Sequence, residues 1–539
     1  MYRGSQWRPN RASGLPPDDR AATEPEVGNI GKAAGKGLQW SLIGAFVARV
    51  GGLALGMVLA RLLTPEDFGL YAIALGAMLF VMHVNDVGLI AATVQWRGRV
   101  EEMAPTATTL ALAFSIAIYA LFFAFAPAFA GLAGNPDAAP IVRVLTTVIL
   151  VDGVTAVRAG YLVRTFQQRR ITTANMFGLM AQATVAISLA VRGVGAMSFA
   201  AGQVTGAVVT GSFVLWSAHM PWRFGFDRTV ARRLMTFGIP LAMALGIEAI
   251  LLNADYVIVG RTLGVTALGF YLLAFNISGW APGVLGTAIR WVSIPSFSRL
   301  SEEEGALAPA VHRSVTMLVT AILPIGFLTA VLALPLIEFL YGTEWAPSAP
   351  VLRFLIILGI ARMLTQLALD ILTGAGATRA TLWFNLGWAV VLVPALIIGT
   401  RSEGVRGAAI AHALVALLVA LPLAFAALSR IGVTLLPIAR GLVRPLLAAA
   451  AAAALCTIVR ELVPGPVFVQ LAVTGVVGLA TYALLVVTAE QRRQMIAQGR
   501  DRVRAVRARR DAPPAVPESI MPRAGDQPAH LRRNGGDPS

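Results

Sequence analysis

Two stretches of this 539-residue chain, ARLLTPEDFGLYAIA at 60–74 and GRTLGVTALGFYLLA at 260–274, read alike at an offset of 200 positions. Chance similarity between two apolar stretches is the alternative to a duplication, but an arginine and a tyrosine in register are not generic features of membrane helices. We interpret the pair as two copies of one unit. The residues that agree are Arg61 with Arg261, Leu63 with Leu263, Gly69 with Gly269, Tyr71 with Tyr271 and Ala74 with Ala274.

The composition places this duplication in a membrane protein. The chain is 57% hydrophobic and only 13% charged, with a mean hydropathy of +0.71, whereas about a quarter of the residues of a soluble domain are charged. This difference excludes a single soluble globular enzyme. A bilayer core needs roughly 20 apolar residues per helix, so the body between 38 and 487 holds about 14 spans joined by short loops.

The duplication also predicts how the spans are arranged. Each copy covers six spans, so both copies enter the membrane from the same side. We expect an all-α polytopic membrane protein with two six-helix lobes, related by a pseudo-twofold axis along the membrane normal, plus two accessory C-terminal helices. The predicted domains are a disordered N-terminal tail at 1–37, an N-lobe at 38–218, a linker at 219–235, a C-lobe at 236–428, accessory helices at 442–487 and a basic tail at 488–539.

The arginines that flank the spans predict the orientation. Both tails are basic, and the linker carries Arg223, Arg228, Arg232 and Arg233. Because loops rich in lysine and arginine stay on the cytoplasmic side, we expect both termini to be cytoplasmic. The net charge of +16 then reflects topology and contact with anionic membrane lipids, and no nucleic-acid partner is expected.

Three arginines inside the predicted spans are the candidate ligand residues: Arg49, Arg290 and Arg362. A charged side chain within the bilayer costs roughly 3 kcal/mol on insertion scales and usually faces a partner or a water-filled cavity. A guanidinium stays charged and binds phosphate oxygens in pairs, so these arginines suit a phosphate or pyrophosphate ligand. Structural ion pairs are the alternative interpretation.

Small residues recur at every fourth position of the first span, at Gly44, Ala48, Gly52 and Gly56. This spacing predicts a helix face that a neighbouring helix can approach closely. Arg49 lies beside that face and is therefore expected to point towards protein and not towards lipid.

Four carboxylates inside the spans are candidates for coupling to an H⁺ or Na⁺ gradient, or for holding the arginines in place: Asp86, Glu248, Asp255 and Asp370. Glu248 and Asp255 are seven positions apart and share one helix face. Asp370 belongs to a polar stripe with Arg362 and Gln366, at a spacing of four residues.

The sequence lacks the motifs of the common enzyme classes. It has no GxxxxGK[ST] phosphate loop, no HExxH, no paired CxxC and no GxSxG, and its loops are too short for a catalytic domain. We therefore expect a transporter without an enzyme site and without a resident cofactor or metal.

Several stretches resemble a known family. RLLTPEDFGLYAIA at 61–74, DVGLIAATVQ at 86–95 and NADYVIVGRTLGVTALGFY at 253–271 are similar to motifs of the Wzx-type polysaccharide flippases. These belong to the multidrug/oligosaccharidyl-lipid/polysaccharide exporter superfamily. The resemblance implies that an undecaprenyl-diphosphate-linked sugar crosses the bacterial inner membrane by alternating access, for O-antigen, capsule or exopolysaccharide synthesis. It also implies a polysaccharide polymerase and co-polymerase as partners.

Three other functions remain open on the sequence alone. A multidrug antiporter of the same fold would have a more acidic and aromatic cavity. A lipid II flippase is another relative, although the stretch TPEDFGLYA argues against it. A membrane scaffold that transports nothing would not need so many charges within its spans.

Overall fold

The regular structure of the described residues is entirely helical. A computed structural model describes residues 27–85, 93, 100–218, 220, 223–300, 307–374, 378–430, 432–463 and 465–487, and no strand occurs among them. The all-α prediction is confirmed. The chain divides into two compact units, Met1–Tyr482 and Ala483–Ser539, and the packing discussed below belongs to the first unit.

Among the described residues of the first half of the body, which is the predicted N-lobe, there are seven α-helices. Thr147 separates two of them, and residues 27–37 of the predicted disordered tail are helical, since α1 begins at Val27. The helices are α1 (Val27–Leu62), α2 (Pro65–Asn85), α3 (Val100–Leu132), α4 (Ala139–Thr146), α5 (Val148–Arg164), α6 (Gln168–Val191) and α7 (Met197–Ser217).

The part of the chain after the linker that the structure describes contains nine α-helices. Non-helical backbone at Glu403 and Gly404 interrupts α13, and a π-helical turn at Ala416–Ala420 precedes α14. The helices are α8 (Arg228–Leu263), α9 (Val265–Leu300), α10 (Leu307–Val331), α11 (Ala333–Leu340), α12 (Ser348–Gly374), α13 (Thr378–Val415), α14 (Leu421–Ser429), α15 (Leu435–Leu462) and α16 (Val467–Val486).

Within the described residues, eleven helical segments are long and apolar enough to cross a membrane. One of them, Gly387–Ser429, includes the break in α13, and neither α8 nor α9 is among the eleven. The chain is therefore a polytopic helical protein, while the count of 14 spans and the boundaries of the predicted domains stay predictions.

The linker before α8 is fixed to the start of α3. The Asp227 carboxylate caps α8 by accepting hydrogen bonds from the backbone N–H groups of Thr229 and Val230, at 2.7 and 3.0 Å. These two bonds lower the pKa of Asp227, because they stabilise its ionised form. The backbone N–H of Asp227 in turn donates to the hydroxyl of Thr106, at 3.0 Å. One residue thus begins the second half of the body and attaches it to the first.

The two copies of the duplicated sequence meet each other. A Cβ atom added at Gly69 would lie 1.8 Å from the carbonyl oxygen of Val265, and one added at Gly269 would lie 1.8 Å from the carbonyl oxygen of Pro65. The contact is reciprocal, since each copy presents its glycine to the matching residue of the other. This is the pattern that a pseudo-twofold axis between α2 and α9 produces.

The duplicated arginines, Arg61 and Arg261, each donate hydrogen bonds to the other half of the chain. Arg61 donates to the carbonyl oxygens of Phe339 and Leu340, at 2.6 and 3.3 Å, where α11 ends. Arg261 donates to the carbonyl oxygen of Leu132, at 3.3 Å, where α3 ends. The last carbonyls of a helix lack backbone partners and carry partial negative charge, so a cation stabilises them. We call the end of the bundle that carries these contacts the Arg61–Arg261 end.

Replacing either glycine of the reciprocal contact by alanine should destabilise the protein. The new Cβ of Gly69→Ala or Gly269→Ala would overlap a backbone oxygen, so α2 and α9 would have to separate, and such overpacking costs about 1–3 kcal/mol. The unfolding temperature of the purified protein in detergent measures the effect.

Gly475→Ala in α16 is the matched control, because a Cβ there would have no atom within 4 Å. It should leave the unfolding temperature unchanged or raise it slightly. Equal unfolding temperatures for Gly69→Ala and Gly475→Ala would show that the reciprocal contact does not hold the two halves together.

Candidate functional site

A cavity of about 400 Å³ lies where α1, α9, α10 and α12 meet, and we call it the charged chamber. Arg49 reaches it from the first half of the chain, and Arg362 reaches it from the second half. Its other polar lining residues are Ser278, Gln366 and Asp370. Two of the three predicted ligand arginines therefore line one cavity.

The position of Arg49 depends on a glycine. A Cβ atom added at Gly283 would lie 2.6 Å from the Cζ atom of Arg49, so the guanidinium occupies space that any larger residue would fill. Gly283 itself lines the chamber. The sequence alone did not indicate that Gly283 makes room for the Arg49 guanidinium.

The polar stripe of α12 lies along the chamber wall. Arg362, Gln366 and Asp370 all line the cavity, as their spacing of four residues predicts. The Gln366 side-chain amide donates to a carboxylate oxygen of Asp370, at 3.0 Å. The Arg362 guanidinium lies 5.5 Å from the centroid of the Phe275 ring, within range of a cation–π contact. These contacts orient the stripe and leave Arg362 at the cavity surface.

The structure does not place every predicted residue. Asp86 lies outside the described residues, and the side chains of Glu248 and Arg290 lie outside them as well, although the helices that carry these two residues are described. Their roles, like those of the other predicted site residues, stay predictions.

Asp255 lies in a separate buried cluster and not in the charged chamber. One of its carboxylate oxygens accepts a hydrogen bond from the hydroxyl of Tyr271, at 2.9 Å. The Nδ1 atom of His412 is 3.2 Å from that hydroxyl and 3.9 Å from the carboxylate. All three side chains are buried. The sequence marked Tyr271 only as a repeated position and gave no sign that His412, on α13, lies beside it.

A second cavity, of about 470 Å³, is lined mainly by α1, α6 and α7 together with α9, and we call it the neutral chamber. Ala48 and Asn276 line it, whereas their chain neighbours Arg49 and Phe275 line the charged chamber. The two cavities therefore lie against the same stretches of α1 and α9.

The predicted packing face of α1 is only partly confirmed. A Cβ atom added at Gly44 would contact the Thr172 side chain at 3.0 Å, so this glycine does pack closely against α6. Gly52 and Gly56 have no atom within 4 Å of that position, and both line the cavity. The predicted packing face is wrong for these two residues, because the space that their missing side chains leave is not filled by a neighbouring helix.

The described part of the chain holds no group of three or more histidine, cysteine, aspartate or glutamate side chains that could bind a metal ion. What both cavities offer is instead surface for an organic ligand: two guanidinium groups in one, and neutral amides and aromatic rings in the other.

Solved structures share this fold. A structure described as the lipid II flippase MurJ in an inward closed conformation superposes with a TM-score of 0.70, at 12% identity, over 83% of this chain and 97% of the other. This similarity confirms the predicted all-α polytopic fold.

Sequence comparisons extend the relationship. The succinoglycan biosynthesis transport protein ExoT of Rhizobium meliloti is 26% identical over 347 residues, which cover 64% of this chain and 69% of ExoT. The lipopolysaccharide biosynthesis protein WzxC of Escherichia coli is 21% identical over 387 residues, which cover 70% of this chain and 77% of WzxC. The family model described as polysaccharide biosynthesis protein matches residues 58–350, more than half of the chain. The chain therefore belongs to the polysaccharide biosynthesis protein family.

Proposed function

We propose that this protein is a flippase that carries an undecaprenyl-diphosphate-linked oligosaccharide across the membrane during polysaccharide biosynthesis. The charged chamber is the observation that carries the proposal. Two arginines from the two halves of the chain, Arg49 and Arg362, line one cavity inside a membrane protein. Family membership and the relatives' names, which refer to polysaccharide biosynthesis and its transport, support the same substrate class.

The chemistry of a lipid diphosphate fits these residues. Each guanidinium offers several N–H donors in one plane and keeps its charge, so two of them can bind the oxygens of a diphosphate and offset its charge. Buried without such counter-charges, the diphosphate would lose its hydration without compensation. Arg290 would be a third contributor, by its place on α9. The lipid tail would remain in the bilayer through a gap between the lobes.

Alternating access would move the bound head group. The reciprocal glycine contact and the arginine caps join the two halves at the Arg61–Arg261 end, which we assign to the periplasmic side. Breaking those contacts while new ones form at the opposite end would expose the charged chamber to the other side. This motion requires no bond chemistry, which is consistent with a transporter and not an enzyme.

The buried cluster around Asp255 is our proposed coupling site. A carboxylate that lies against a tyrosine hydroxyl and a histidine, all within the bundle, can take up a proton or a Na⁺ ion only if its surroundings rearrange. Binding would then favour one of the two states. Glu248 and Asp86 are further candidates by sequence, and Asp370 is assigned instead to holding the α12 stripe.

We further propose that the protein lies in the bacterial inner membrane with both termini cytoplasmic, and that a polysaccharide polymerase and co-polymerase act on its product. Two alternative functions predict other results. A multidrug antiporter would move organic cations, which two chamber arginines repel. A lipid II flippase would support cell-wall synthesis, so its deletion would stop growth and would not selectively remove surface polysaccharide.

Arg362→Gln should abolish surface polysaccharide while the protein remains in the membrane. The change removes a charge-assisted interaction with the diphosphate, which we expect to weaken binding of undecaprenyl diphosphate by about 10- to 100-fold. Polysaccharide staining, accumulation of undecaprenyl-linked sugars and binding to the purified protein are the three measurements.

Arg353→Gln is the matched control, since Arg353 lies on the same helix, is exposed and does not line the charged chamber. It should behave as the wild type. Normal polymer in the Arg362→Gln strain, at wild-type protein levels, would remove Arg362 from the binding site.

Asp255→Asn should uncouple transport from the ion gradient. The asparagine keeps the size of the side chain and can accept from Tyr271, but it carries no charge to titrate or to bind Na⁺. In vesicles that contain the protein, an imposed proton or sodium gradient should accelerate transfer of the lipid-linked sugar by the wild type and have no effect on the variant. Equal acceleration in both would place the coupling group elsewhere.

A further inference from the structure

We infer that the neutral chamber is the subsite for the uncharged sugar of the transported lipid, an inference that rests on the proposed function. The described residues that line this cavity include no charged side chain. They do include four carboxamides: Asn175, Gln182, Gln203 and Asn276. A carboxamide both donates and accepts hydrogen bonds, as a sugar hydroxyl does.

Three of these amides are available to a ligand. Among the described residues, the side chains of Asn175, Gln182 and Asn276 have no hydrogen-bond partner in the protein. Asn175 and Asn276 are exposed and Gln182 is half-buried, so each of these amides can exchange bound water for the hydroxyl groups of a ligand. They come from two helices, α6 and α9, so a sugar ring in the cavity could be contacted from both.

The fourth amide, Gln203, is fixed in place by a tyrosine that packs against two phenylalanine rings. The hydroxyl of Tyr71 donates to the side-chain oxygen of Gln203, at 2.9 Å. The Tyr71 ring stacks on Phe199 with centroids 4.3 Å apart and an interplanar angle of 12°, and Phe68 meets Phe199 edge-on at 4.9 Å. All four residues line the cavity. A sugar ring has an apolar C–H face as well as hydroxyls, so a rigid wall with both ring surface and amide suits it and needs little reordering on binding.

The duplicated tyrosine has different surroundings in the two copies. Tyr71 and Tyr271 are the same residue of the two copies. Tyr271 is fully buried and bonded to Asp255, whereas Tyr71 is half-buried, lines the cavity and is bonded to the neutral Gln203. The same fold position therefore supports a closed charged cluster in one lobe and an open neutral cavity in the other.

The two chambers can serve one ligand. Ala48 and Arg49 are consecutive residues of α1, and Phe275 and Asn276 are consecutive residues of α9, yet each pair divides between the chambers. A diphosphate in the charged chamber would thus have its attached sugar within reach of the neutral one. Charge selects the head group in the first cavity, and hydrogen bonding selects the sugar in the second.

Binding measurements with two lipids distinguish the sugar subsite from the diphosphate subsite. The full-length protein in lipid nanodiscs is titrated with undecaprenyl diphosphate and with undecaprenyl diphosphate that carries N-acetylglucosamine. We expect Gln182→Leu and Asn276→Leu each to weaken binding of the sugar-bearing lipid by about 3- to 10-fold, the loss of one hydrogen bond, with affinity for the bare lipid unchanged. Arg362→Gln should weaken binding of both lipids.

Gln470→Leu is the matched control, because Gln470 lies in α16, bonds the Val463 carbonyl oxygen and lines neither chamber. It should leave both affinities at the wild-type value. If a leucine variant unfolds at a lower temperature than the wild type, it is replaced by Gln182→Asn, whose side chain keeps the amide but is one carbon shorter. The affinity for the sugar-bearing lipid is then compared with the affinity for the bare lipid in the same way.

The outcomes distinguish this inference from the proposed function. Equal weakening of both lipids by the leucine variants, no weakening, or a wild type that does not prefer the sugar-bearing lipid would overturn the sugar subsite. A wild type that binds neither lipid would overturn the proposed function itself.

Discussion

A polar side chain inside a bilayer must be paired within the protein or face a cavity, and the arrangement of this bundle follows from that constraint. The structure satisfies it in three ways. In the first half of the body, Asn85 donates to Asp152 at 3.1 Å and accepts from Ser115 at 2.8 Å. In the second half, Tyr271 joins Asp255 to His412. Between the halves, Arg49 and Arg362 face a cavity. A ligand can therefore contact these two guanidinium groups.

The duplication explains why such a cavity can exist and change sides. At the Arg61–Arg261 end the two copies meet through glycines, backbone against backbone, and each copy's arginine caps a helix of the other half. Small contacts of this kind, repeated about a twofold axis, can be broken together with limited rearrangement elsewhere. The copies have diverged where the ligand would lie, since Tyr71 has an amide partner and Tyr271 a carboxylate partner.

Much of the fold was accessible from the sequence, because its signals are local. Hydropathy marks most of the spans, the repeat predicts two lobes, and a spacing of four residues places Arg362, Gln366 and Asp370 on one face of α12. The break in α13 at Glu403 and Gly404 lies in the short polar stretch TRSEGVR at 400–406, between two apolar stretches of the sequence. These inferences need only the geometry of a single helix or the likeness of two segments.

The site was only partly accessible, because its contacts join distant segments. Nothing local indicates that Gly283 would make room for Arg49, or that His412 would lie beside Asp255. For Gly52 and Gly56 the local pattern predicted a helix contact that the structure does not show, because a stripe of small residues can border a cavity as well as a neighbouring helix. Which of the two occurs depends on how the lobes pack, and one helix alone does not carry that information.

Reconstitution in vesicles measures movement of the lipid-linked sugar itself. Purified protein is placed in vesicles whose outer leaflet carries undecaprenyl-diphosphate-linked N-acetylglucosamine, and the fraction of sugar that remains accessible to an external sugar-modifying enzyme is followed over time. We expect the protein to move the sugar-bearing lipid to the inner leaflet, and excess undecaprenyl diphosphate to slow this transfer by competing for the charged chamber. Transfer no faster than in protein-free vesicles, or transfer that undecaprenyl diphosphate does not slow, would contradict this expectation.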